Sequence, residues 1–250
     1  RFNLWFTLAT EPGSELGLER TLDILAEASG AEAMRHLPTL KLYKINVQLD
    51  MTGEKSATRK QAPPPPPKRG DGALPDAEDR EIIQILQRDL PLEPRPFDAW
   101  AVAAGRDPDE LLTAAEVLRK RTLMRRFAAV LNHRKAGFGA NGMAVWRIPE
   151  EKLEEIGPQM AAFSAVSHCY KRPTYDDWPY SIFTMVHARS MASCEETIAA
   201  IAEEVGYDDP EDRAVLYSTH EFKKIRLQYY TPDYAEWETA AAAGEELPRW

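Results

Sequence analysis

The order in which hydrophobic spacing changes along the second half of the chain constrains its fold most. Met143 to Ile148 reads as a strand, Glu150 to Phe163 as a helix, and Val166 to Lys171 and Tyr180 to His187 as a strand pair. Ser193 to Val205 reads as a helix stopped by Gly206, and Leu216 to Tyr230 as a long last strand. Strands show period-two or continuous apolar runs, whereas helices repeat every three to four residues. The resulting order, βαββαβ, predicts a ferredoxin-like domain. A further strand is expected just upstream, over Phe127 to Leu131.

The segment before this domain is helical. Asp76 is placed to cap a first helix carrying Ile82, Ile83, Ile85 and Leu86, and Phe97 to Ala104 gives a short second one before Gly105. Asp107-Pro108-Asp109-Glu110 opens a third, with Asp at the cap, Pro in the first turn and Glu three residues after the cap. Its expected buried face is Leu111, Leu112, Ala115 and Leu118. Three such helices match a helix-turn-helix unit. Preceding them is a linker whose core, Pro63 to Pro67, favours a stiff polyproline II rod.

The first 51 residues repeat part of the second half. Phe2-Asn3-Leu4-Trp5-Phe6 sits like Tyr180-Ser181-Ile182-Phe183-Thr184, and Thr21-Leu22 to Gly30 like Thr197-Ile198 to Gly206. Leu42-Tyr43-Lys44-Ile45-Asn46-Val47-Gln48 sits like Phe222-Lys223-Lys224-Ile225-Arg226-Leu227-Gln228. Phe2 to Leu8 is therefore expected to be a strand, Glu19 to Ser29 a helix, and Leu40 to Leu49 a strand with a bulge near Lys44. Arg1 opens directly on a strand-like run, so the chain is expected to begin inside a domain. The expected fold class is α+β. It comprises the end of a first αβ copy (1–51), a Pro-rich linker (52–74), a helix-turn-helix domain (75–122), a ferredoxin-like αβ domain (123–240) and a tail (241–250). Two copies paired through their sheets would make a pseudo-dimer.

A formal net charge of −9 argues against a general nucleic-acid binder, whose phosphate contacts need excess Lys and Arg. The amino-terminal turn of the third helix is also acidic, with Asp107, Asp109 and Glu110 where a recognition helix meets DNA. Arg119, Lys120 and Arg121 come at its far end, where they offset the helix dipole. The two cysteines, Cys169 and Cys194, fit a reducing cytoplasm rather than a disulfide framework. There is no apolar run long enough to span a bilayer.

Two clusters carry the candidate chemistry. Leu131-Asn132-His133-Arg134-Lys135-Ala136-Gly137-Phe138 and Ser167-His168-Cys169-Tyr170-Lys171-Arg172-Pro173 each place a histidine beside cationic side chains. Histidine exchanges protons near neutrality, and arginine holds a carboxylate through paired hydrogen bonds. Together they point to a pocket for a multiply anionic ligand. Read singly, a strand histidine is more often a packed or surface residue, and Arg119 to Arg126 is consistent with a solvated face. His36, His187 and His220 lack this context and read as structural, as do Trp146, Phe183 and Cys169.

A helix-turn-helix followed by a βαββαβ domain resembles the Lrp/AsnC regulators, over Asp76 to Tyr230. A narrower resemblance is to the siroheme decarboxylases, which are Lrp/AsnC-like proteins. It is carried by both histidine clusters, by Asn141-Gly142-Met143-Ala144-Val145-Trp146 and Trp178-Pro179-Tyr180, and by the opening Phe2-Asn3-Leu4-Trp5-Phe6-Thr7-Leu8. The proline-rich join then implies two fused subunits. That resemblance implies loss of carbon dioxide from two acetate side chains of siroheme, giving didecarboxysiroheme on the way to heme d1 or heme. It implies His133 and His168 as candidate proton donors, with His168 alternatively an iron ligand. Arg126, Arg134, Lys135 and Arg172 become candidate carboxylate partners. Arg125 and Arg126 are neighbours in an expected strand, so one of the two faces the pocket. Tyr170, Trp178 and Tyr180 become candidates to stack on the ring or donate to it. No added cofactor is implied, because the iron belongs to the substrate. No DNA partner is expected. The alternatives are a ligand-sensing regulator and a tetrapyrrole-binding module without catalysis.

Overall fold

The computed structural model describes residues 2–45, 73–124, 127–128, 137, 139–223 and 227–245. Contacts divide the chain into two compact units, Arg1–His36 with Lys68–Ala128 and Ile225–Trp250, and Leu37–Pro67 with Ala129–Lys224. Most of the proline-rich linker lies outside the described residues.

The first unit contains α1 (Gly17–Ser29), α2 (Ala77–Leu86), α3 (Pro96–Ala103), α4 (Pro108–Lys120) and α7 (Pro232–Ala243). Asp76 caps α2 in a full capping box with Asp79, and Asp107 caps α4 by accepting from Asp109 N at 2.8 Å. Ile82, Ile85, Leu86, Trp100, Ala101, Leu111 and Leu118 form the core between α2, α3 and α4. Leu112, expected on the buried face, is 44% exposed, because the helix turns it away from that core. Arg121 donates two hydrogen bonds to the nearly buried Asp79 carboxylate, at 2.9 and 2.7 Å. At the far end of α4, Arg119 pairs with Glu116. The acidic start of α4 is as expected.

The second unit is a five-stranded sheet in the order β1-β3-β4-β2-β5, every neighbour antiparallel. Its strands are β1 (Lys41–Ile45), β2 (Ala140–Trp146), β3 (Val166–Lys171), β4 (Ile182–Ala188) and β5 (Arg213–Tyr217). Helices α5 (Leu153–Ala161) and α6 (Met191–Val205) cover one face. Trp146, Ile156, Met160, Val166, Ile182 and Ile198 are among the buried residues between helices and sheet. Strands β2 to β5 with α5 and α6 make the expected ferredoxin-like domain. To it β1, from the amino-terminal repeat, adds a strand on the β3 edge. The expected bulge is present as a register shift between Leu42 and Lys44.

Helix α1 and its repeat counterpart α6 end alike, on Gly30 and Gly206 at φ 65° and 70°, where a side chain would be strained. The first strand of the repeat differs from expectation. Phe2 to Leu8 is not a strand, and Leu4, Trp5 and Phe6 are 59%, 44% and 51% exposed. A strand exists only as part of a backbone hydrogen-bond ladder, and the described sheet, β1-β3-β4-β2-β5, does not include this segment. Phe127 and Ala128, where a strand was expected, are also irregular, and residues 129–131 lie outside the description. The last strand is shorter and earlier than predicted, ending at Tyr217. Helix α7 then occupies residues read as the end of the αβ domain and the start of a tail.

Lys44 is 5% exposed, with Nζ 2.7 Å from the Phe163 carbonyl oxygen. Burial lowers its pKa below the ordinary lysine value. Between that lowered value and the ordinary one the unfolded chain binds more protons, so stability rises with pH across this window. Below it the cost of burying the ammonium is present in full. Lys44→Met leaves the Phe163 carbonyl satisfied by Val166 N at 3.2 Å. At neutral pH the variant is therefore expected to melt at or above the wild-type temperature. The difference should shrink as pH approaches about 10. A markedly lower melting temperature at neutral pH would show that the Lys44 hydrogen bond outweighs its burial cost.

Candidate active site

Strand β3 separates two chemistries by alternation. Cys169 is buried toward α5, its thiol 3.7 Å from the Gly157 carbonyl, and burial pushes its pKa up. Lys171, on the same side, pairs with Glu150. His168 and Tyr170 therefore face away from the helices, beside Met185 and Phe183 of β4.

On that face the rings of His168 and Tyr170 lie 5.7 Å apart, tilted by 32°. The Arg172 guanidinium lies 5.0 Å from the centre of the Tyr170 ring and 5.4 Å from that of Phe183. It donates to the Leu37 carbonyl, and Arg172 N donates to Ser181 O at 2.9 Å. Burial lowers the Arg172 pKa from its ordinary value, with Tyr170 opposing. Trp178 is 5% exposed and meets Tyr180 edge-on at 5.0 Å and Phe183 at 6.4 Å. Tyr175 and Trp178 exchange backbone hydrogen bonds of 2.9 Å, closing the turn that presents the indole.

The fold thus joins His168, Tyr170, Arg172, Trp178 and Tyr180 into one chain of contacts. Phe183, read from the sequence only as core, is the residue that links its two ends. Nothing in the spacing separates a strand phenylalanine that packs a core from one that also floors a site. Leu37 was also missed, since a backbone acceptor 135 residues away carries no sequence signal. His133, Arg134, Lys135 and Arg126 lie outside the described residues. Among the described residues no group of three or more His, Cys, Asp and Glu side chains is set to hold a metal ion. The cluster offers an imidazole, a half-buried guanidinium with five N–H donors and several aromatic faces. This combination suits a flat anionic molecule.

Residues 135–223 match the model of the AsnC-like ligand binding domain, and residues 79–125 match the siroheme decarboxylase NirDL-like HTH domain. A siroheme decarboxylase of Hydrogenobacter thermophilus is 36% identical over 240 residues, covering 94% of this chain and 68% of that protein. This chain belongs to the siroheme decarboxylase family. The beta subunit of the siroheme decarboxylase of Methanosarcina barkeri is 39% identical over 153 residues, 61% of this chain and 99% of that subunit. Among solved structures, the crystal structure of the siroheme decarboxylase NirDL is similar with a TM-score of 0.65 and 30% identity, over 97% of this chain and 67% of that one. The same protein in co-complex with an iron-uroporphyrin III analogue gives 0.63 and 29%, with the same coverage. As a member of the siroheme decarboxylase family, the chain combines a helix-turn-helix block with an AsnC-like αβ domain.

Proposed function

We propose that this chain is a siroheme decarboxylase, a carbon–carbon lyase that removes two acetate carboxyl groups of siroheme as carbon dioxide and leaves methyl groups. The observation that carries this reading is the continuous His168–Tyr170–Arg172–Phe183–Trp178–Tyr180 cluster in a member of this family. Siroheme is a flat ring bearing eight carboxylates. Burying it requires cationic partners, because an unpaired buried carboxylate is strongly unfavourable. Arg172 serves as one, with Arg126, Arg134 and Lys135 as further candidates. Tyr170 and Tyr180, each half-buried, offer aromatic faces and polar tips to the ring and its carboxylates, while the buried Trp178 is placed to support Tyr180 rather than to stack on the ring itself.

In the reaction the bond between the acetate methylene and its carboxyl carbon breaks. The electron pair stays on the methylene carbon, shared with the conjugated ring, and a proton then completes the methyl group. His168 is the described candidate donor and His133 the second. Imidazole also ligates heme iron, so an alternative role for His168 is to hold the substrate's iron. No cofactor beyond that iron is needed. No described helix is long and apolar enough to cross a membrane, and a cytoplasmic setting suits the two thiols. A pseudo-dimer of fused halves is supported by β1 lying along β3 and by the shared caps of α1 and α6.

The test is anaerobic incubation of the chain with siroheme, followed by mass analysis of the tetrapyrrole. Loss of two carbon dioxides is expected. Bound but unchanged siroheme would replace this reading with a non-catalytic binding module, and absence of binding would remove both.

A further inference from the structure

Strand β3 carries a register shift between Val166 and His168: Val166 lies opposite Val186 and His168 opposite Met185, which leaves Ser167 as the extra residue with no residue of β4 directly opposite it. In regular strand, adjacent side chains point to opposite faces. A bulge relaxes that rule and re-aims a side chain. Here it lets neighbours meet: Ser167 Oγ lies 2.7 Å from His168 Nδ1. The same oxygen lies 3.3 Å from the Met185 carbonyl, and Ser167 is 3% exposed.

A serine hydroxyl has one proton to give, and a carbonyl oxygen only accepts. One assignment makes both contacts hydrogen bonds. Ser167 donates to Met185 O, and His168 Nδ1–H donates to Ser167 Oγ. In neutral His168, Nε2 then carries the lone pair.

We propose that Ser167 is a positioning residue that fixes the tautomer of His168, reserving Nε2 as the nitrogen that exchanges a proton with, or ligates, the substrate. The choice of nitrogen is set by what the other one bonds, as in catalytic and metal-binding histidines generally. The bulge and the hydroxyl act as one device, since without the bulge the two side chains would diverge. The catalytic consequence rests on the reading of His168 given above; the tautomer assignment does not.

The test is long-range proton–nitrogen NMR on the full chain labelled with 15N-histidine, with His168 assigned by its absence from the His168→Ala spectrum. In wild type, at a pH where His168 is neutral, the proton is expected on Nδ1. Ser167→Ala should shift the population toward the Nε2–H form, which free imidazole side chains favour, and lower siroheme turnover by about 10- to 100-fold. Ser167→Thr, which keeps the hydroxyl, should restore both. A proton on Nε2 in wild type would overturn the proposal without needing any variant, as would an unchanged tautomer in a folded Ser167→Ala protein. An Nδ1–H tautomer in a chain that never decarboxylates siroheme would instead overturn the proposed function and leave the positioning role standing.

Discussion

Replacing His168 with alanine is expected to lower siroheme decarboxylation by ~10²- to 10⁴-fold, the range associated with a positioned general acid. The fold should survive. His168 is only half-buried, and its ring meets Tyr170 at 5.7 Å rather than filling the core between sheet and helices. Single-turnover release of carbon dioxide reports the chemical step, and retention of siroheme reports binding. A fall in the former with unchanged binding fits proton delivery. A changed absorption spectrum of bound siroheme, with weakened binding, would move His168 to the iron-ligand role. Unaltered turnover would end both assignments for this residue, whatever His133 contributes.

Replacing Gly157 with alanine is expected to cost on the order of 1–3 kcal/mol, the usual range for overpacking. The ring of Tyr43 lies against Gly157, and a Cβ there would come within 2.4 Å of Tyr43 Cζ. The ring cannot simply swing away, because its hydroxyl donates to Leu153 O at 3.1 Å. Burial, aided by Glu154, raises the Tyr43 pKa to about 12, so the hydroxyl remains a donor through neutral pH. Tyr43 sits at the bulge of β1, so the clash is expected to loosen that strand from the β3 edge. Hydrogen exchange should show faster exchange in β1 and little change in β2 and β4. In a double-mutant cycle, Gly157→Ala and Tyr43→Ala should be strongly non-additive, since Tyr43→Ala removes the ring against which the added Cβ would clash. Additive effects would mean that Tyr43 does not hold the strand through Gly157.

Several elements were readable from residue order because their causes are local. Asp76 and Asp107 supply side-chain caps, Gly30 and Gly206 supply left-handed stops, and Val166 to Lys171 was bounded correctly. The misreadings share a different cause. Phe2 to Leu8 has strand composition, but composition cannot provide a neighbouring strand. Helix α7 was missed because its apolar residues, Tyr234, Trp237 and a run of alanines, do not gather into a stripe of helical period. Its Trp237 is nonetheless 5% exposed.

The candidate site divides along the same line. The pairing of His168 with Arg172, and the aromatics at Tyr170, Trp178 and Tyr180, could be named from spacing and motif. Their convergence could not, because it depends on strand register and on contacts between distant residues. The Leu37 carbonyl reaches Arg172 only after β1 has docked on β3, and Phe183 joins the two ends of the cluster only through its position opposite Tyr170.

Residue order determined the periodicities, the caps and the inventory of chemical groups, since each of these is set within a few residues along the chain. Tertiary structure decided which strands found partners, which face of β3 carries the imidazole, and that a one-residue bulge brings the Ser167 hydroxyl onto that ring. Those outcomes depend on hydrogen-bond ladders and packing between segments far apart in the chain, where a shift of one residue exchanges the two faces of a strand.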